Sequence, residues 1–566
     1  MPLPSWLLHA ALTLVLALVA VPAPSGLSAA TTAQAASSAA RPISGFFVSA
    51  GATDADNLDT LRNIEAVGGD TVVTFGTTLR PATLDSKDRI RTDGELDATF
   101  SACQIDGAPC AASVDVEINR VFTFANHSHF TGSALQCPRD RSFTSGDQRY
   151  TLLVVPLHGT GCTDPEGRYD LIAVHGGARG EVDRTTSLLR AADTVGMQVY
   201  LGMPSPTKRG DVAWLPDQSY QHTLSIFTDR FLRYHRDKGS TDAIAGFYHH
   251  TEMPVAAGEV WQPVLDLYRL QNSWIAKRFP DKAALVSPYL DNRPSTNAGL
   301  SAQDLFDKTR SGARAIAGTA EGVPLAVAIQ DGMGTGKAGA YLANDARSTV
   351  DGPAAALVGK TSWASAYLMP VSDSFRAARQ GLEDTGASLW SNVEGMTPQA
   401  DDAEVACASG SGRGQTTKNR LDQQVQAVGP FTAKNISFSW DPFYTCRVGS
   451  STLADALLRH GTAPVVTNAA LAPDRDLLWL AGYNLAGSTA TVKYVDTNGA
   501  VHQDSAVIGL HSGDYGRRTG LDSRLESADY AIDLHSPQDG KIFIVLVTGA
   551  DGVRASRAFS GVHHDR

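Results

Sequence analysis

The stretch IAGFYHHTE, residues 244–252, decides the fold. It is a short apolar run that closes on two histidines, a threonine and a glutamate. Before it, Leu224, Phe227, Phe231 and Tyr234 recur at three- and four-residue spacing, which is one face of a helix. After it, Val264, Leu267, Tyr268, Trp274 and Ile275 form another such stripe. A strand bracketed by helices points to a parallel sheet, because a helical crossover returns the chain to the same edge.

The alternation repeats outward in both directions. Strands are expected near 44 (SGFFV), 70 (DTVVTFG), 197 (MQVYLGM), 244, 284 (ALVSPY), 325 (LAVAIQ), 388 (SLWSNV) and 436 (ISFSW). Gly68 and Gly196 close the helices before the second and third. Eight strand–helix units over about 400 residues predict an α/β fold, a (β/α)8 TIM barrel spanning 41–455. A doubly wound open sheet is the rival, but no strand leads into the glycine pattern of a dinucleotide site.

Two regions break the alternation. Residues 77–168 hold four of the six cysteines and read as a disulfide-bearing β-rich insertion after strand two. From 458 to 566 the runs 477–485, 491–495, 501–508, 530–534 and 542–547 lack intervening helix stripes, and Asn498-Gly499 and Asp539-Gly540 signal hairpin turns. This predicts a C-terminal all-β sandwich, of immunoglobulin type.

The 566 residues carry a net charge of −11 with 43% hydrophobic and 19% charged residues, the composition of a globular chain. The acidic balance and the lack of a basic run argue against a nucleic-acid partner. The first forty residues contain no Lys, Arg, Asp or Glu, and an apolar run from Ala10 to Val21 precedes Ala33-Gln34-Ala35. This reads as a signal peptide over 1–35, and hence a secreted protein with no integral membrane segment after its removal. Six cysteines in an exported chain predict disulfides, with 15 possible pairings. Proximity favours Cys103–Cys110, Cys137–Cys162 and Cys407–Cys446. Without any CxxC pair no metal site is expected, and no cofactor is expected either.

Catalytic groups of such barrels lie at the C-terminal ends of the strands. Strand four ends in His249-His250-Thr251-Glu252, strand five in Tyr289-Leu290-Asp291, strand six in Gln330-Asp331, strand seven in Asn392-Val393-Glu394, and strand eight in Trp440-Asp441-Pro442-Phe443-Tyr444. Strands four and seven face each other across an eight-stranded barrel, so Glu252 and Glu394 can flank a glycosidic bond. Adjacent strand residues point to opposite faces, so His249 and His250 do not share an ion. GMGTGK (332–337) and LVGKT (357–361) fall short of a phosphate-loop pattern, and no nucleophile elbow follows a strand.

Taken together, GFYHHTEMP (246–254), LVSPYLDNR (285–293), AIQDGMGTGK (328–337) and SLWSNVEGM (388–396) resemble a family of secreted proteins with glycosyl-hydrolase-like TIM barrels that carries a domain-of-unknown-function label. More widely, the chain resembles the barrel glycosidase clan with its acid/base on strand four and its nucleophile on strand seven. That resemblance implies Glu252 as general acid/base and Glu394 as nucleophile. Thr251 departs from the Asn that the clan usually carries before the acid/base.

The expected function is a secreted glycoside hydrolase acting on an oligo- or polysaccharide, with a retaining mechanism; a transglycosylase would use the same residues. His250, Tyr289, Gln330, Asp331, Trp390, Asn392, Phe443 and Tyr444 are the candidate carbohydrate-binding residues. The rival is a non-catalytic carbohydrate-binding or cell-surface interaction protein on a barrel scaffold.

Overall fold

A computed structural model describes residues 40–159, 161–210, 215–237, 242–398, 407 and 412–564. The leader read at 1–35 lies outside the described residues. Eight parallel strands close into a barrel: β1 (Gly45–Val48), β2 (Thr71–Thr74), β3 (Gln198–Gly202), β4 (Ile244–His249), β5 (Ala283–Val286), β6 (Leu325–Gln330), β7 (Ser388–Glu394) and β8 (Lys434–Phe438). β8 pairs back onto β1, with Gly45 opposite Ile436. Each expected strand is present, with its start within two residues of the position read from the sequence. Two of the helices between them begin on capping boxes: Thr53 on Asp54–Ala66, and Ser301 on Ala302–Ala317. Gly196, with φ of 72°, ends the helix Arg184–Val195 in the left-handed region that glycine adopts without strain.

The barrel interior is filled by Phe47, Val73, Tyr200, Tyr248, Leu285, Ala326, Ala328 and Ile436. Gly246 is needed there, because a Cβ would meet Ala283 O at 2.3 Å and the Tyr200 ring at 2.7 Å. The opposite faces of the strands pack against the surrounding helices in a larger core.

The insertion is β-rich and stapled, as expected, but it runs beyond 168. The strand Arg168–Ala178 lies in the middle of its sheet, parallel to Glu117–Ala125 and antiparallel to Gln148–Pro156. Its strand Thr78–Leu84 pairs with Ser205–Pro206 in the loop after β3, which ties the insertion to the barrel mouth. The three disulfides are Cys103–Cys110, Cys137–Cys162 and Cys407–Cys446.

The C-terminal strands form one antiparallel sheet in the order 465–472, 477–483, 526–531, 501–512, 489–495, 542–548, 559–562. Its first and last strands also pack together, so the sheet nearly closes on its own core. An immunoglobulin domain divides its strands between two sheets, whereas these follow a single path. This domain docks at the N-terminal ends of β2 and β8. Tyr483 accepts a hydrogen bond from Asn435 Nδ2 (2.9 Å) and donates to Asp522 Oδ2 (3.0 Å). Asp70 receives Lys434 Nζ at 2.6 Å and is paired with Arg524. Asn435 is fully buried in this contact.

Among the described residues no helix is long and apolar enough to cross a membrane, and no group of three or more His, Cys, Asp or Glu side chains could hold a metal ion.

Candidate active site

β4 aims its side chains by simple alternation. Tyr248 faces the barrel interior and is almost completely buried. His249 faces outward, where its two ring nitrogens lie 2.7 Å from Gln271 Oε1 and 2.7 Å from Asn272 Oδ1 of the helix Gln262–Arg278. Burial lowers its pKa against those two bonds. His250 returns to the inner side and lines a cavity of about 830 Å³ at the C-terminal mouth. Burial, and then Lys208, lower its pKa, and its Nδ1 has no partner among the described residues.

Glu252 lines the same cavity. It is open to solvent there, but it sits in a concave wall. The enclosing protein raises its carboxyl above the ordinary glutamate value, and the charge of Glu394 raises it further. Gln330, Lys337 and Lys208 oppose the rise. Gln330 stands at the end of β6, where its amide donates to Glu252 Oε1 at 3.0 Å and to Ser287 O at 2.8 Å. Tyr289 is half-buried beside it, and Lys337 Nζ lies 4.1 Å from the centre of its ring.

Glu394 ends β7 and is 1% exposed. It does not line the cavity, because the loop Gly332–Lys337 closes over it. The Thr335 amide donates to Oε2 at 2.6 Å and the Thr335 hydroxyl to Oε1 at 3.3 Å. A Cβ on Gly334 would come within 2.5 Å of Glu394 Cβ, so only glycine lets the loop approach this closely. Burial raises the Glu394 pKa, while Thr335, Lys337 and Arg413 lower it. The structure thus brings Glu252, Gln330, Tyr289 and Lys337 together at the mouth and sets Glu394 beneath a cap.

Of the eight expected sugar-binding residues only His250 lines the cavity itself; Gln330 and Tyr289 stand beside Glu252 and Lys337, and the other five lie elsewhere. Asp331 points to the other side of β6 from Gln330 and is fully buried; its Oδ1 accepts the Met333 amide at 3.0 Å, and Oδ2 has no partner among the described residues. Burial, then the charge of Glu394, push its pKa well up. Asn392 is buried and donates to Ser287 Oγ at 3.0 Å. Trp390 sits two residues further down β7, edge-on to Tyr200 at 5.6 Å, within the barrel. Tyr444 is buried, stacks on Trp440 at 5.6 Å and shares a 2.7 Å hydrogen bond with Ser437 Oγ. Phe443 is also buried, 6.3 Å from Phe438. These aromatics are core, because the chain turns back under the barrel wall directly after β8.

The cavity recruits residues that were not read as site residues. Phe75 and Phe438 follow β2 and end β8, so the strand-end rule covers them. Arg80, Pro81, Thr92 and Asp93 come from the insertion, and Thr207 and Lys208 from the loop after β3. Thr335 and Lys337 belong to the glycine–lysine stretch, whose role here is to cap a carboxylate.

No family model and no curated protein gives a significant match to this chain, so the resemblance drawn from the four motifs stands on those residues alone. Solved structures similar to it include a candidate α-L-fucosidase from Bacteroides thetaiotaomicron (13% identity, 77% of this chain and 98% of that one, TM-score 0.40). Others are an endo-β-1,4-mannanase from Thermotoga petrophila (8%, 94% and 99%, TM-score 0.29) and a β-galactosidase from a psychrophilic Marinomonas (9%, 74% and 58%, TM-score 0.35). At these scores the likenesses carry no argument about activity or catalytic residues.

Proposed function

We propose that the protein is a secreted, retaining glycoside hydrolase. The observation that carries this is Glu252: a carboxyl with a raised pKa, lining a large cavity at the barrel mouth, and influenced by the charge of a second carboxylate, Glu394. A raised pKa shifts a carboxyl toward the protonated form that a general acid requires. Three disulfides fit an oxidising compartment.

In the first step Glu252 gives its proton to the glycosidic oxygen as the bond from that oxygen to the anomeric carbon breaks. Glu394 attacks the anomeric carbon and forms an ester. In the second step ionised Glu252 takes a proton from water, the water oxygen attacks the same carbon, and Glu394 leaves as carboxylate. Attack requires Thr335 to release Glu394, so the loop Gly332–Lys337 must move off it. Lys337 lowers the pKa of both glutamates and so favours an ionised nucleophile.

The burial of Glu394 favours a second reading, a non-catalytic carbohydrate-binding protein, because a capped carboxylate serves binding as well as chemistry. Glycan hydrolysis by Glu252→Gln and Glu394→Gln separates the two. Loss of about 10²–10⁴-fold in Glu252→Gln supports the enzyme. Full activity in either variant ends the assignment, and proton NMR of the first-formed anomer decides retention.

A further inference from the structure

We propose that the substrate carries an acidic sugar, a uronate or a sulfated residue, whose anionic group is bound by Arg80 and Lys208; this rests on the glycosidase reading and names its substrate class. Arg80 comes from the inserted strand Thr78–Leu84 and is exposed in the cavity wall. Its side chain has no hydrogen bond or ion pair among the described residues. Lys208 lines the same cavity from the loop after β3, and its charge acts on both His250 and Glu252.

Among the described residues the acids on this wall are Asp93 and Glu252. Asp93 is placed to accept bonds from sugar hydroxyls. Phe75 and Phe438 supply apolar surface for a ring face. A guanidinium in this position binds carboxylate or sulfate with two parallel hydrogen bonds. The chain as a whole is at −11, so its long-range field repels polyanions. The local cation pair therefore selects an acidic unit at the site and does not gather polyanions in general. The same geometry gives the insertion its role: it carries the specificity-determining arginine.

The test is calorimetric binding to the full-length Glu252→Gln protein, with trigalacturonate, a chondroitin 4-sulfate tetrasaccharide and neutral cellotriose as probes. The expected result is binding of at least one acidic probe, tighter than cellotriose and weakening as salt rises. The arm that binds identifies carboxylate or sulfate. Adding Arg80→Ala or Lys208→Ala weakens the acidic probe about tenfold each, and Arg80→Lys restores part of it. Absence of binding by both acidic probes, equal or tighter cellotriose binding, or unchanged Kd in Arg80→Ala overturns the inference. An acidic probe that binds but is never cut by the unmodified protein ends the glycosidase reading and leaves this one standing. A neutral glycan that is cut, with no acidic binding, does the reverse.

Discussion

Replacing Glu394 by Gln tests whether this buried group is charged, as a nucleophile must be. The substitution keeps the shape, and both Thr335 contacts, at 2.6 and 3.3 Å, can be remade by an amide. What it removes is a carboxylate at 1% exposure whose pKa burial has raised above its ordinary 4.5. A carboxyl with a raised folded-state pKa adds stability that is fully present below its unfolded pKa and is lost as pH rises through the folded one. Glutamine carries no such dependence. The variant should therefore match the parent below pH 4, gain on it as pH rises, and level off above the folded-state pKa. A buried polar group left short of its water bonds costs about 1–3 kcal/mol. For a chain of this size that is about 1–3 °C in Tm, read by calorimetry at one scan rate. Asp331→Asn should likewise gain on the parent as pH rises, because burial and the charge of Glu394 hold the folded Asp331 carboxyl well above its ordinary value. A Glu394→Gln difference that is still rising at pH 8 would mean that folded Glu394 stays protonated throughout that range, and would refute its assignment as nucleophile.

Gln330→Ala removes the amide that holds Glu252 down, so the basic limb of kcat/KM moves to higher pH. Lys337→Met removes a charge that lowers both glutamates, so both limbs of the pH profile should rise together. Tyr483→Phe strips the hydroxyl shared by Asn435 and Asp522 and should cost about 1–3 kcal/mol in a denaturant titration. Opening Cys137–Cys162, which spans 25 residues, should cost about 3.5 kcal/mol, seen as earlier proteolysis of the insertion.

The strands of the barrel were legible because parallel strands buried on both faces appear as short apolar runs between helix stripes. The end of the insertion was not. Arg168–Ala178 is buried on both faces too, so its sequence resembles a barrel strand and gives no sign that it pairs with Glu117–Ala125. The strand-end rule found Glu252, His250 and Gln330, but it treated Gln330 and Asp331 alike. Alternation along β6 sends one into the mouth and the other into the wall. Phe443 and Tyr444 lie beyond β8 in sequence, but the turn there folds them back into the core. Thr335 and Arg80 act across large sequence separations, through a loop and an inserted sheet, and no local pattern encodes either contact.

Mechanism-based labelling tests the central claim most directly. The protein is incubated with a panel of neutral and acidic 2-deoxy-2-fluoroglycosyl fluorides, digested and analysed by mass spectrometry. The account predicts one glycosyl ester, on Glu394, absent from Glu394→Gln and unable to form in protein denatured beforehand. A label on another residue, or hydrolysis that proceeds with inversion and no covalent intermediate, would contradict it.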